Sequence, residues 1–584
     1  MQRRKFAWLM AVLGVSWLRW STATAGMQPG QDTLLVSLGK VLKAHHYHPA
    51  HIDDAFSAQV WRTFLHTLDP SDNVFCQEDL DQLRPFEHRL DDELEGRAPV
   101  AFLPAVTALY QHRLAAALEA DSMLALQPFQ YHAHDQVRAD GGSGQGYAAT
   151  EKVWHERRSM SLKYLALQYR SALQKGSLAD SSDAVQEATA RQKAIADITA
   201  RYHKLLALTN TPELFNILAG AICHQMDPHT DYFPPAAAAA PSAMGAVADR
   251  MKSNMLLGTA LIHRNNHLYG YIVLPAFYLD TVRGFHCADD LAKALASMDS
   301  SHVEGLIIDL RNNSGGSLLE VQAMVGMLVK GEAVVQLKGK DLEPALLKST
   351  TAQPIYNGPL AVLVNSQTAS AAELFTAAMQ DYGRAVICGS PTFGKGTVQR
   401  PFPVGAEQGY VKVTFEQLFR VNGSSTQYRG VTPDLLLPDL YQFGKRREAT
   451  RPQVLPWDSI PPAHITRWEG APQVAQLKAK VHRMMDDTLY AAITQKSKWL
   501  AAHDTAMVPL EVAAYLQFAD ARRQNLEALN QLLKLPADRQ DQASPASFSF
   551  MEDAAAYQRW LHLVQADLFV HAATGVLEAW VARS

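Results

Sequence analysis

The feature that most constrains the fold is a pair of short, continuously apolar runs in the second half of the chain, at residues 305–310 and 360–364. Each run is bounded by polar and turn-forming residues and is followed by a helical pattern, which is typical of buried strands in an α/β layer. The same region contains further predicted elements: a hairpin turn at Asn265-Asn266, strands at residues 384–388, 397–402 and 410–421, and helices at residues 318–328 and 371–380. Residues 258–439 are therefore predicted to form a layered α/β core.

The segments on either side of this core have a different pattern. Residues 26–233 are predicted to form a helical N-terminal domain, because leucines such as Leu34 and Leu38 recur at helical spacing. Residues 440–584 are predicted to form a helical C-terminal domain. Between the N-terminal domain and the core, residues 234–257 are rich in Ala and Pro, a composition typical of a linker.

The first 25 residues have the three-part pattern of a secretory signal peptide. A basic start at residues 1–5 precedes an apolar stretch at residues 6–18, and Ala23-Thr24-Ala25 supplies small residues for cleavage. The apolar stretch is short for a membrane span. We predict a signal peptide at residues 1–25 and a mature protein in the periplasm without stable membrane insertion; an uncleaved anchor is the alternative.

Composition narrows the range of partners. The chain has 584 residues, of which 47% are hydrophobic, and its formal net charge is −4. These proportions are typical of a globular, multidomain protein. A nucleic-acid binder would carry a basic face, so no nucleic-acid partner is expected.

Two groups of reactive side chains are interpreted as structural. The chain has four cysteines: Cys76, Cys223, Cys287 and Cys388. They lie far apart in the sequence, and we favour buried free thiols over disulfides, of which three complete pairings are possible. The histidine cluster at residues 45–48 is interpreted as ordinary surface histidines rather than a metal site.

A serine lies where the second apolar run gives way to a helix. Ser370 precedes the helix that begins at Ala371, and a helix N-terminus offers free backbone N–H groups to a developing oxyanion. The chain has no Gly-x-Ser-x-Gly motif, the usual signal of a Ser/His/Asp hydrolase. On the residues alone, an N-cap serine is the ordinary alternative.

A lysine could activate this serine. Lys395 lies between Gly394 and Gly396, which would allow its backbone to approach another segment closely, and burial would lower its pKa. Gln399, four residues later, could orient the amine. The paired glycines that end at Gly316 follow the first apolar run and could supply an oxyanion donor. A solvated lysine and a plain tight turn are the alternatives.

Four motifs occur in a fixed order and together resemble the tail-specific protease, or C-terminal processing peptidase, family. They are DLRNNSGG at residues 309–316, TASAAE at 368–373, QDYGRA at 380–385 and PTFGKGTVQ at 391–399. The resemblance implies that Ser370 is the nucleophile, Lys395 the general base and Gln399 the residue that positions the lysine. It also implies oxyanion donors at the backbone amides of Gly316 and Ala371.

The resemblance extends beyond the core to both flanking regions and carries further expectations. It implies a crotonase-like layered ββα core flanked by mainly helical domains, with no metal or organic cofactor. Asp381 matches an acidic position that we interpret as structural support. Substrates would be exported polypeptides with nonpolar C-termini.

One departure from the family pattern concerns substrate selection. Family members carry a PDZ domain before the core, where this chain has only residues 234–257, too few for that fold. The PDZ domain binds substrate C-termini by strand addition. Three alternatives therefore stay open: a paralogue that binds or scaffolds polypeptides, a protease active only with an adaptor protein, and a weakly selective protease.

Overall fold

The structure is a computed structural model. It describes residues 30–142, 146–176, 180–235, 256–330, 333–351, 353–405, 408–481, 487–549 and 553–582. The predicted signal peptide and most of the Ala- and Pro-rich linker, at residues 236–255, lie outside the described residues.

The N-terminal region is helical, as predicted. Its helices are α1 Gln31–His45, α2 Asp54–Leu68, α3 Gln77–Leu83, α4 Leu90–Glu95, α5 Phe102–Leu124, α6 Glu151–Leu173, α7 Asp183–Leu208 and α8 Glu213–Cys223, with a short strand, β1 Gln136–Arg138, before α6. The leucines of α1 that recur at helical spacing are buried, and this helix packs against α4 and α8. Helix α2 begins where the Asp53 carboxylate accepts a hydrogen bond from Phe56 N–H, a side-chain N-cap.

The centre of the molecule is a seven-stranded sheet. Its strands in the core are β3 Gly258–Arg264, β4 His267–Val273, β7 Gly305–Asp309, β10 Leu360–Val364, β11 Val386–Gly389 and β14 Leu435–Leu436. The strands from β4 through β14 are parallel, and β3 pairs antiparallel with β4. Strands β7 and β10 are buried along their whole length, which explains why they consist of continuous apolar runs.

Helices cover one face of this sheet and connect its parallel strands. They are α9 Cys287–Ser300, α10 Leu318–Leu328 and α11 Ala371–Asp381. Their buried residues form one core with the sheet, including Leu291, Val325 and Phe375. The predicted α/β core with helical flanks is thus confirmed.

The predicted hairpin between β3 and β4 is present. Asn265 and Asn266 both have positive φ, of 48° and 67°, and Arg264 pairs with His267 across the turn. A two-residue turn with both central residues in the left-handed region matches the twist of the strands, and asparagine tolerates that region better than most residues.

A second sheet lies beside the core. Its strands are β12 Thr397–Pro403, β13 Tyr410–Phe419, β8 Ala333–Gly339 and β9 Ala345–Lys348, and β2 Asp231–Phe233 of the N-terminal region pairs with β13. A small hairpin of β5 Leu279–Asp280 and β6 Phe285–His286 precedes α9. The sequence pattern predicts β12 and β13 but not β2, β8 or β9, which lack long apolar runs.

The C-terminal region is mainly helical but also contributes strands to both other regions. Its elements are α12 Ala471–Val481, α13 Asp487–His503, β15 Met507–Pro509, α14 Val512–Leu532, β16 Gln542–Pro545, α15 Ala554–Ala566 and α16 Leu568–Val581. Strand β15 pairs with β1, and β16 pairs with β3 as the last strand of the central sheet. Helix α16 packs on the sheet face opposite to α9–α11.

Within the described residues, no single helix has both the length and the hydropathy to cross a membrane. Helices α7 and α8 meet these criteria only together, as a pair bent by 85°.

The four cysteines are free and buried, in agreement with the prediction from the sequence. Burial raises the pKa of the Cys223 and Cys287 thiols well above the usual value, which makes them unreactive.

We expect a thiol reagent to modify no cysteine quickly in the folded protein, and to modify four cysteines per chain in denaturant without reductant. A count of two or none in denaturant would reveal disulfides and contradict this assignment.

Candidate active site

Ser370 lies at the turn between the end of β10 and the start of α11. Its backbone has φ 57° and ψ −119°, a region that a non-glycine residue adopts at an energetic cost. The surrounding turn must therefore hold this conformation. Ser370 is partly exposed, whereas the residues of α11 that follow it are buried.

The turn after β7 packs directly against this serine. Asn313 is fully buried. Its side-chain amide donates to Leu274 O at 2.9 Å, and its backbone carbonyl accepts from Ala369 N–H at 2.9 Å. A Cβ on Gly315 would lie 2.9 Å from the Cβ of Ser370, closer than such atoms approach. The glycine allows the two turns to touch.

Two backbone donors next to Ser370 are unused. Gly316 is exposed, and its neighbours Gly315 and Ser317 donate to Asn313 Oδ1 and Phe277 O. Among the described residues, neither Gly316 N–H nor Ala371 N–H donates a hydrogen bond. Both groups remain available to an anionic oxygen near Ser370.

Arg311 fixes the beginning of the same turn to the C-terminal region. Its guanidinium binds Asp309 at the end of β7 and donates two hydrogen bonds to Asp567, at 3.1 and 2.9 Å. Asp567 is also the N-cap of α16, where its carboxylate accepts from Phe569 N–H. The two carboxylates hold the arginine in its charged form and raise its pKa, against the effect of burial.

Lys395 is held by the segment that carries Gln399. Its amine donates to Gln399 Oε1 at 2.7 Å, and the amide nitrogen of Gln399 donates to Thr397 Oγ1 at 2.9 Å and Thr414 Oγ1 at 3.1 Å. Because the lysine ammonium can only donate, the amide oxygen faces it and the amide nitrogen faces the two hydroxyls. Burial, aided by the positive charge of Lys412, lowers the pKa of Lys395 to about 8.

Close backbone contact on both sides of Lys395 explains the glycines. A Cβ on Gly396 would lie 2.4 Å from Gln427 N, and one on Gly394 would lie 2.9 Å from Tyr428 O. The predicted close approach of this segment to another is confirmed, and the Lys395 side chain is half-buried and hydrogen-bonded to Gln399.

A single buried carboxylate joins the serine turn to the lysine segment. Glu373 Oε2 accepts from the backbone N–H of Ser370 at 2.8 Å and from that of Lys395 at 2.9 Å. Its other oxygen accepts from Gly394 N–H at 2.7 Å and Thr392 Oγ1 at 2.5 Å. Burial raises the pKa of Glu373 to about 7 in spite of these four donors.

The structure places the predicted residues around Ser370 and Lys395, except for Asp381, and it lacks one contact. Ser370 Oγ and Lys395 Nζ are not hydrogen-bonded to each other in this structure, although their backbones share Glu373. Catalytic contacts of this kind often close only when substrate binds. Asp381 lies at the far end of α11, where it binds Arg420 and accepts from Asn422 at 2.9 Å, so it supports the fold at a distance from the serine.

Sequence reasoning missed four residues that build this site: Asn313, Glu373, Thr397 and Thr414. One signal was available, because Ser370 and Glu373 have the Ser-x-x-Glu spacing of a capping box. The threonines carry no such signal, since their role depends on the pairing of β12 with β13. Among the described residues no group of three or more His, Cys, Asp or Glu could hold a metal ion.

Comparison with family models gives the class of protein. Residues 268–437 match the model of peptidase family S41, whose members are serine-type peptidases. Residues 38–236 match the N-terminal domain of tail-specific proteases and residues 441–581 match their C-terminal domain. The chain belongs to family S41 and, within it, to the tail-specific proteases. None of the three matched models is a PDZ domain.

Individual relatives have related descriptions. The chain is 25% identical over 527 residues to the tail-specific protease of Haemophilus influenzae, with 72% of each chain covered. It is 31% identical over 182 residues to the carboxy-terminal processing protease CtpB of Bacillus subtilis, with 30% of this chain and 36% of the relative covered.

Among solved structures, the photosystem II D1 C-terminal processing protease matches with a TM-score of 0.28 at 18% identity, over 47% of this chain and 93% of that one. Mature CPAF matches with a TM-score of 0.27 at 20% identity, over 31% and 49% of the two chains.

The glycine turn beside Ser370 provides a test of this geometry. Gly316 has φ 146°, and a Cβ there would lie 2.2 Å from Phe277 O. We expect Gly316→Ala to displace the turn and to destabilise the protein by about 2 kcal/mol or more, measured as a lowered thermal midpoint by calorimetry.

The matched control is Gly284→Ala in the β5–β6 hairpin. Gly284 has φ 73° but no atom within 4 Å of a new Cβ. The Gly284→Ala substitution should lower the free energy of unfolding by about 1 kcal/mol, because of the positive φ alone. Equal losses in the two variants would mean that the close contact with Phe277 contributes nothing.

Proposed function

We propose that the chain is an exported, periplasmic serine endopeptidase that uses a Ser/Lys dyad, Ser370 and Lys395, to hydrolyse peptide bonds. One observation carries the proposal: Glu373 binds the backbone of both residues with the same carboxylate oxygen. A nucleophile turn and an amine of lowered pKa are thereby built into one rigid unit.

The reaction proceeds through an acyl-enzyme. Ser370 Oγ attacks the scissile carbonyl carbon while the neutral amine of Lys395 takes the hydroxyl proton. The backbone amides of Gly316 and Ala371 donate to the carbonyl oxygen as it becomes negative. Lys395 returns the proton to the leaving amine. A water molecule then attacks the acyl group, again through Lys395, and restores Ser370.

Substrates and location follow from the family and from the first 25 residues. The pattern of residues 1–25 supports export to the periplasm. The substrates would be unfolded or unstructured polypeptide tails with nonpolar C-termini. Only residues 234–257 stand where the family carries its PDZ domain, which supports a looser choice of tail than in relatives that carry that domain, or choice by an adaptor protein.

Purified mature protein should cleave an unfolded test protein that ends in an apolar tail, whereas Ser370→Ala and Lys395→Ala should not. Each variant removes a group that forms or breaks bonds, so a loss of on the order of 10³-fold or more is expected. Fragments are identified by mass spectrometry, and the same protein with a polar tail shows whether tails are distinguished. Wild-type protein that binds but never cleaves would refute an autonomous protease and favour the polypeptide-binding alternative or a protease that is active only with an adaptor protein.

The pH dependence of kcat/KM should report the lysine. The neutral amine is the active form, and with a pKa of about 8 only about one tenth of the molecules are active at pH 7, and about nine tenths at pH 9. The rate should therefore rise with pH through about 8. Ionised Glu373, with a pKa of about 7, raises the pKa of Lys395 and therefore opposes formation of the neutral amine.

A charge variant tests the assignment of that pKa. The charged groups that act on Lys395 are Lys412, which lowers its pKa, and Glu448, Asp227 and Glu373, which raise it. Lys412→Met removes the repulsion, so the midpoint of the pH profile should move to higher pH. An unmoved midpoint would mean that a group other than Lys395 causes the rise of kcat/KM with pH.

A further inference from the structure

The pairing of β12 with β13 places Gln399 directly opposite Thr414. A bulge between Val398 and Gln399 shifts the register, so that Val398 pairs with Glu416 but Gln399 pairs with Thr414. Bulges next to active sites re-aim side chains. Here the bulge is what allows Thr414 Oγ1 to accept from the Gln399 amide at 3.1 Å.

The backbone of Thr414 is held by the N-terminal region. Strand β2 pairs with β13 only at residues 410–412. At Thr414, two other groups of the N-terminal region form the hydrogen bonds to the backbone of β13. Thr414 N–H donates to Thr230 Oγ1 at 2.9 Å, and Thr414 O accepts from Tyr47 N–H at 2.8 Å. The N-terminal region thus determines where this threonine lies.

Thr230 is in turn held by a buried carboxylate. Its hydroxyl donates to Asp227 Oδ2 at 2.5 Å, and the other carboxylate oxygen accepts from His229 N–H at 2.8 Å. Asp227 and Thr230 are both almost completely buried. Because the Thr230 hydroxyl donates its hydrogen bond to Asp227 Oδ2, the lone pairs of its oxygen are oriented to accept from Thr414 N–H.

His46, at the C-terminal end of α1, completes the cluster. Its Nε2 lies 2.8 Å from Asp227 Oδ2, and its Nδ1 accepts from His48 N–H at 3.2 Å. Since Nδ1 accepts, Nε2 carries the proton and donates to the carboxylate. The expectation that His46 is a surface histidine is wrong: it is fully buried, because a buried carboxylate requires such donors.

We propose that the N-terminal domain positions the general base, through a hydrogen-bond chain that runs from His46, Asp227 and Thr230 to Thr414, Gln399 and Lys395. Asp227 and Thr230 are positioning residues: they fix Thr414, which fixes the Gln399 amide, which holds the lysine amine. This inference rests on the proposed function for the role of Lys395. It adds that the dyad is complete only when the N-terminal domain is docked.

The test compares Thr230→Val with Thr230→Ser in the full-length mature protein. Valine keeps the shape of threonine but leaves Thr414 N–H without its acceptor, whereas serine keeps the hydroxyl. We expect Thr230→Val to lower kcat by about 10- to 100-fold with little change in KM, and Thr230→Ser to recover most of that loss.

A matched control lies on the neighbouring strand. Tyr232→Phe removes a hydrogen bond from the same domain to the core, Tyr232 OH to Gln408 O at 2.9 Å, but that bond has no connection to Gln399. It should leave kcat close to the wild-type value. If Tyr232→Phe lowers kcat as much as Thr230→Val, general loosening of the interface explains both and the proposal fails.

A second readout does not need proteolysis. Competitive acetylation followed by peptide mass spectrometry measures the reactivity of Lys395 against that of Lys152, which is solvent-exposed. Thr230→Val should raise the relative reactivity of Lys395, because its amine is no longer held by Gln399, and Thr230→Ser should not. An unchanged reactivity of Lys395 in Thr230→Val would overturn the positioning proposal, whether or not the wild-type protein cleaves a substrate. Absence of cleavage by the wild-type protein would instead be a failure of the proposed function.

Thr414→Val tests the other end of the chain and covers the case in which Thr230→Val does not fold. It removes the hydroxyl that accepts from Gln399 without touching the N-terminal domain. Folding of each variant is checked by thermal unfolding. The same fall in kcat and rise in Lys395 reactivity are expected, and their absence in folded Thr414→Val would overturn the proposal.

Discussion

The arrangement of the candidate active site depends on the burial of one carboxylate. Glu373 is fully buried, and its two oxygens accept four hydrogen bonds from the serine turn and from the segment around the lysine. A buried charge without such donors would be unstable. The two segments must therefore stay close together for the carboxylate to remain satisfied, although Ser370 and Lys395 are 25 residues apart in the chain, with α11 and β11 between them.

The three regions of the chain are joined by strand pairing rather than by side-chain contact alone. Strand β2 pairs with the sheet that carries Gln399, β15 joins the N- and C-terminal regions, and β16 completes the central sheet. Arg311 adds an ionic link from the serine side of the site to α16. Both sides of the active site therefore depend on a flanking domain, which fits a molecule whose family models cover the flanks as well as the core.

The sequence predicted the parts of the site whose signal is local. The apolar run of β10, the helix after it and the paired asparagines of the hairpin each follow from the propensities of a few adjacent residues, and the family motifs identified Ser370, Lys395 and Gln399. What the sequence could not reveal depends on register. Thr414 matters because a bulge sets it opposite Gln399, and His46 is buried because Asp227, 181 residues later, needs a donor. No local pattern encodes either pairing.

Strand β16 makes the central sheet depend on the order of synthesis. Its partner β3 lies about 280 residues earlier in the chain, and the Thr259 carbonyl there accepts from Tyr557 OH at 2.7 Å across a separation of 298 residues. Contacts of such long range form late, because a large loop must close first. Until residues 542–545 have been made, the outer edge of β3 stays unpaired and open to association with other chains. A chain that emerges N-terminus first, from a ribosome or from a translocation pore, therefore completes its central sheet only after residues 542–545 have emerged.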